Sequence, residues 1–173
     1  MHGGNKLATG DKIILVGMAG TGKSTIGSAL ATKLGWTFVD SDVCIEEREG
    51  RAIPVIFAEQ GEAYFRKVET EVLLELLKSQ GCVIATGGGA VLAEQNRHAM
   101  LEEGLVVALK ASADTIITRL IDDVNRPLLK GNPTVEVPLL LEKRKHAYDF
   151  AHLRVQTDGL TVESITEKIL QVL

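Results

Sequence analysis

The chain has 173 residues, 45% of them hydrophobic and 24% charged, with a formal net charge of −4 at pH 7. Those values suit one globular domain with a sizeable core and argue against a general nucleic-acid binder, which carries a basic balance. No run of about 18 apolar residues is present, so no membrane span is expected, and two cysteines, Cys44 and Cys82, are too few for a disulfide framework.

Residues 1–10 hold one lysine and no apolar stretch, so they read as a disordered leader and not as a signal peptide. A cytoplasmic location is expected. Residues 12–16, KIILV, form a β-rich run without alternation, as in a strand buried on both faces. A glycine-rich loop, 17–22, leads into a helix over 24–34 with Ile26, Leu30 and Leu34 on one stripe. Gly35 ends that helix, and TFV, 37–39, is a second short strand. Helices are expected over 43–49, over 54–59 with Pro54 in its first turn, and over 62–78, where Phe65, Val68, Val72 and Leu76 share a face. CVIA, 82–85, is a third strand, followed by the triplet Gly87-Gly88-Gly89. A helix over 96–103, a strand over 105–109 and a helix over 113–121 come next. The pattern breaks over 122–133, resumes as a helix over 136–150, and closes with a strand over 153–156 and a helix over 162–173. Short strands alternating with helices predict an α/β fold with a parallel sheet covered on both faces. Ligands then sit at the carboxyl ends of the strands.

GMAGTGKS, 17–24, matches the phosphate-binding pattern G-x-x-x-x-G-K-[ST] after a strand and before a helix. Its glycines let backbone N–H groups converge on phosphate oxygens, and the helix N-terminus adds positive potential. Lys23 is expected at the β- and γ-phosphates, and the Ser24 hydroxyl at Mg²⁺. Asp40 and Asp42 follow the second strand. In an extended segment residues i and i+2 point the same way, so one carboxylate can support the Mg²⁺ shell and the other can take a proton from a substrate hydroxyl. The alternative for Asp42 is an N-cap of the helix after it. The glycine triplet suits either close backbone approach to a ligand or a flexible turn. Arg66 pairs with Glu62 or Glu69 at helical spacing or meets a ligand. Arg126 lies in an irregular segment that suits a lid, where an arginine swings onto a transferring phosphoryl group or is simply solvated. Arg144 lies on the basic face of the expected helix, commonly a solvated face. The four histidines show no ligand spacing, and Trp36 reads as packing.

The loop 17–24, FVDSD (38–42), IPVIFAEQGEAYFRKVE (53–69), TGGGAV (86–91), NRPLL (125–129) and RKHAY (144–148) occur in this order. In that set the chain resembles the shikimate kinase family, from about Lys12 to the last helix. The resemblance implies a three-layer α/β/α fold of the nucleoside-monophosphate-kinase type with a five-stranded parallel sheet. It implies one P-loop kinase domain over 1–173, a substrate-binding region at about 40–70 and a lid at about 122–134. The implied reaction moves the γ-phosphoryl of ATP to the 3-hydroxyl of shikimate, with Mg²⁺.

Carried over by position, ATP would meet Gly20, Thr21, Gly22, Lys23, Ser24 and Thr25. Arg119 would lie near the adenine and the lid arginine Arg126 on the phosphates. Ser24 and Asp40 would arrange Mg²⁺. Asp42 would meet the shikimate hydroxyls and act as base, with Lys23 and Arg126 completing the catalytic set. Arg66 and Arg144 would grip the carboxylate, as suits the planar guanidinium. The Gly88 N–H would touch shikimate, Glu69 would support the pocket, and Phe57 and Phe65 would line it. The chain departs from the family pattern in two places. His146 stands where a proline is frequent, and DDV before NRPLL is more acidic than expected. A monomer is expected. The rival readings are a kinase for another small polyol acid, such as gluconate or an aminoshikimate, and a non-catalytic nucleotide-binding homologue. The second would be expected to lack Lys23, Asp42 or a substrate arginine, and all are present.

Overall fold

The computed structural model describes residues 10–121 and 131–173. Five strands, β1 (Lys12–Val16), β2 (Thr37–Asp40), β3 (Cys82–Ala85), β4 (Leu105–Lys110) and β5 (Leu153–Gln156), pair in parallel in the order β2-β3-β1-β4-β5. The helices are α1 (Lys23–Leu34), α2 (Ser41–Glu49), α3 (Ile53–Gln60), α4 (Glu62–Leu76), α5 (Glu94–Glu103), α6 (Ala113–Ile121), α7 (Pro133–Lys143) and α8 (Val162–Leu170).

The three central strands β3, β1 and β4 are buried on both faces, and β1 shows how. Ile14 and Val16 join Ile84, Val106 and Ala108 under α4 to α7 through Leu73, Met100, Ile116 and Val137. Ile13 and Leu15 face the other way, against Ile26 and Leu30 of α1 and Ile165 and Ile169 of α8. Each such side chain contributes about 1.5–3 kcal/mol by leaving water, which is why the strand shows no polar alternation. Lys12 opens β1 and is also buried. Its ammonium donates to the Leu77 carbonyl at 2.6 Å and lies 3.6 Å from Glu103, so the buried charge is satisfied. A third apolar cluster, with Ile45, Ile56, Phe65 and Val68, ties α2, α3 and α4 together beside the β2 edge.

β1 pairs with β3 on one side and β4 on the other. The chain order reverses there, and the crevice beyond such a reversal is the usual ligand position.

Several boundaries differ from the sequence reading. α2 begins at Ser41, not residue 43, because Asp40 caps it: the Asp40 side chain accepts from the N–H groups of Asp42 (2.9 Å) and Val43 (3.4 Å). Asp42 is therefore inside the first turn and is not the cap. α4 stops at Leu76 and α8 at Leu170. The helix expected over 136–150 is α7, which starts at Pro133 because Asn132 caps it through the Thr134 N–H at 3.0 Å. It stops at Lys143, and Arg144 has φ −104° and ψ 13°. Arg144 thus stands in a turn, not on a basic helical face.

Candidate active site

Three glycines of the loop after β1 have left-sided backbones, with φ of 144° at Gly17, 83° at Gly20 and 95° at Gly22. Gly17 also has no room for a side chain, since a Cβ there would run into the Leu109 carbonyl of β4. The loop curls tightly enough to place Lys23 at the start of α1 with its ammonium buried. Nζ donates to the carbonyls of Gly17 (2.5 Å) and Met18 (2.9 Å). Gly20, Gly22, Lys23, Ser24 and Thr25 line one cleft at the carboxyl end of the sheet. Thr21 does not. It is buried, and its hydroxyl donates inward to Met18 O at 2.7 Å. Arg119 of α6 reaches across to donate to Gly20 O at 2.8 Å, so it lies over the loop.

Asp40 and Asp42 line the same cleft opposite the loop. They reach it by different routes: Asp40 ends β2, paired with Ala85 of β3, and Asp42 projects from α2. Ser24 Oγ lies 3.3 Å from Asp40 Oδ2. A hydroxyl and a carboxylate side by side are hard oxygen donors suited to Mg²⁺, which takes one or two protein oxygens and fills its octahedron with water and phosphate. Among the described residues no group of three or more His, Cys, Asp or Glu forms a metal cage. The pair fits a phosphate-borne Mg²⁺ and not a metal held by protein alone.

The triplet Gly87-Gly88-Gly89 after β3 forms the far wall. Each glycine lies under different charged side chains. A Cβ at Gly87 would stand 2.7 Å from Asp42 Oδ1 and 3.1 Å from Glu69 Oε2. At Gly88 it would stand 3.3 Å from an Arg144 guanidinium nitrogen, and at Gly89 it would fall within the Arg66 guanidinium. At Gly87 and Gly89 it is the close approach of the chain's own side chains that requires glycine. The loop is also pinned. Ala90 N–H donates to Gly87 O at 3.1 Å, and Asn96 of α5 donates to Ala90 O at 2.9 Å.

Arg66 and Glu69 lie on one face of α4, at 2.8 Å, and Glu62 lies 3.6 Å from Arg66 on the outer side. The expected salt bridge and a role at the site are therefore compatible. Glu69 is 2% exposed. Burial raises its carboxyl above the usual range, opposed by the Arg66 charge and reinforced by Asp42. The Arg66 guanidinium stands 5.3 Å above the Phe65 ring, and Phe65 packs on Phe57 with centroids 4.6 Å apart. Tyr148 has no role in the sequence reading, yet it is buried and its hydroxyl donates to Gly88 O at 2.9 Å. The one signal for it is its place four residues after Arg144. Arg126 and most of the expected lid, residues 122–130, lie outside the described residues, as does the leader over 1–9.

The arrangement therefore presents an anion-binding loop, a hydroxyl–carboxylate pair, a second carboxylate across from a glycine wall, and two guanidinium groups beyond it. A sequence profile described as shikimate kinase matches residues 19–173. A shikimate kinase of Geobacter sulfurreducens is 47% identical over 161 residues, covering 92% of this chain and 89% of its own. One from Thermodesulfovibrio yellowstonii is 41% identical over 160 residues, covering 92% of each. The solved shikimate kinase of Acinetobacter baumannii in complex with shikimate superposes with a TM-score of 0.89 at 41% identity, covering 95% of this chain and 93% of that one. This chain belongs to the shikimate kinase family.

Proposed function

We propose that the site transfers the γ-phosphoryl of ATP to the 3-hydroxyl of shikimate through the residues gathered around the P-loop and the glycine triplet. The observation that carries the reading is the stacking of Asp42, Glu69, Arg144 and Arg66 on three successive glycines beside the P-loop cleft. One flat wall then holds a ring bearing hydroxyls and a carboxylate at fixed distances from the phosphates.

The ATP phosphates lie in the loop, against Gly20, Gly22, Lys23, Ser24 and Thr25. Lys23 leaves the Gly17 and Met18 carbonyls for the β- and γ-phosphates, and Arg119 covers the nucleotide side. Ser24 and Asp40 hold Mg²⁺, whose charge, when it is bound, neutralises the phosphate oxygens. Arg66 and Arg144 take the shikimate carboxylate as planar donors, which fixes the ring as well as its charge. Asp42 accepts the proton of the 3-hydroxyl. That oxygen bonds to the γ-phosphorus as the bridge to the β-phosphate breaks, and ADP leaves. Arg126 meets the phosphates from the lid. ATP as donor, a single chain as the working unit, one kinase domain with its substrate region at about 40–70, and a cytoplasmic site of action complete the reading.

The test is ADP release with ATP and Mg²⁺ against shikimate, quinate, gluconate and no acceptor. Fast release with shikimate alone is expected. Faster release with gluconate would overturn the substrate, and no acceptor-dependent release would overturn the reaction.

A further inference from the structure

We propose that Tyr148 is a positioning residue of the substrate site, setting the aim of the Gly88–Gly89 peptide and of the Arg144 guanidinium through its one hydroxyl. The inference rests on the reading above, in which the glycine wall and Arg144 face shikimate.

Tyr148 is 5% exposed and its ring belongs to the core under α6 and α7. The hydroxyl has two polar neighbours. It donates to the Gly88 carbonyl at 2.9 Å. The positive Arg144 guanidinium lies near enough to act on it electrostatically. One oxygen thus stands between two groups that are distant in sequence and adjacent in space, with an Arg144 nitrogen 3.3 Å from the position of a Cβ at Gly88. The turn makes this possible. α7 stops at Lys143, and the Ala147 N–H closes on Arg144 O at 2.9 Å, so Arg144 and Tyr148 both turn toward the triplet.

A glycine peptide rotates freely unless something holds it. Across a trans peptide the C=O of Gly88 and the N–H of Gly89 point to opposite sides. Holding the carbonyl on Tyr148 therefore turns the Gly89 N–H to the face away from Tyr148. The same hydroxyl oxygen is a polar neighbour for the Arg144 guanidinium, which favours the rotamer that lies over Gly88 and lowers the entropy lost on binding. Burial pushes the phenol up, against the Arg144 and Arg66 charges, so it remains a donor across the working pH range.

Tyr148→Phe keeps the ring and removes the hydroxyl. The KM for shikimate should rise about 5- to 20-fold, since the hydrogen bond to a buried carbonyl is lost and that carbonyl is left unpaired beside the Arg144 guanidinium. The KM for ATP should stay within about twofold and Tm within a few degrees. On an Arg144→Lys background the same change should cost less than about twofold, because residues in one network do not add. An unchanged shikimate KM overturns the proposal. So does a parallel rise in both KM values with a large loss of Tm, a chain that does not fold, or full additivity with Arg144→Lys, since each makes the hydroxyl merely structural or idle. The unsubstituted chain is assayed alongside. If it shows no shikimate-dependent ADP release, the proposed function falls and this inference with it. If it does and Tyr148→Phe matches it, the inference alone falls.

Discussion

The Arg66 guanidinium occupies the space that a side chain at position 89 would need. Gly89 has φ −95° and ψ 0°, a backbone other residues adopt, so close approach alone requires the glycine. The obstructing group is the tip of a flexible side chain and can move. Gly89→Ala should therefore leave Tm within a few degrees while displacing Arg66, and the KM for shikimate should rise at least about tenfold. Thermal melting beside steady-state kinetics checks this. A large Tm loss with unchanged KM would contradict it. Gly17→Ala should behave in the opposite way, lowering Tm strongly, because its obstacle is the Leu109 carbonyl and its φ is 144°.

Asp42 is the carboxylate set against Gly87, across from the P-loop. Replacing it by Asn keeps the shape and removes the proposed base. Asp42→Asn should lower kcat by about 10²–10⁴-fold, the usual range for a positioned proton acceptor, with ATP affinity nearly unchanged. Stopped-flow turnover together with nucleotide titration measures both. Wild-type turnover would take Asp42 out of the mechanism.

Ser24 touches Asp40 at 3.3 Å, and the pair is the proposed seat of Mg²⁺. Ser24→Ala should raise the Mg²⁺ concentration for half-maximal activity by about tenfold. It should leave shikimate affinity, measured by calorimetry, within about twofold. An unaltered Mg²⁺ dependence would show that the hydroxyl is not a ligand.

Asp158, in the turn after β5, accepts from the Thr115 hydroxyl at 2.6 Å, from the Gln156 side chain, and from both the N–H and hydroxyl of Ser112. These donors hold its carboxyl well below the usual carboxylate range. Below an ordinary value of about 3.9 the unfolded chain binds the proton first, so the contribution of Asp158 to stability is full above that value. It is lost as pH falls through the lowered folded one. Asp158→Asn should therefore lower Tm at pH 7, and the gap should close on titration from about pH 4 downward. A gap independent of pH in that range would show that the charge is not what matters.

Much of the frame was legible because its causes are local. The run KIILV is apolar on both sides because the strand is covered on both sides. The pattern 17–24 is itself a backbone conformation written in glycines. The helix starts were less legible. Asp40 and Asp42 are both competent caps, and only the end of β2, set by Asp40 lying opposite Ala85, selects Asp40. The rule that i and i+2 share a face did not apply to them either, since Asp42 is already helical. They share a cleft nonetheless.

By itself the sequence determined the α/β rhythm, the phosphate loop and the family, since each rests on neighbours along the chain. Which side chain meets which glycine was decided only by the tertiary structure. Asp42, Glu69, Arg144 and Arg66 come from α2, α4 and the turn after α7, and no periodicity brings them to positions 87–89. The Tyr148 hydroxyl reaches Gly88 across 60 residues. Such contacts depend on how three layers pack, and packing acts through space, where sequence spacing carries no record of it.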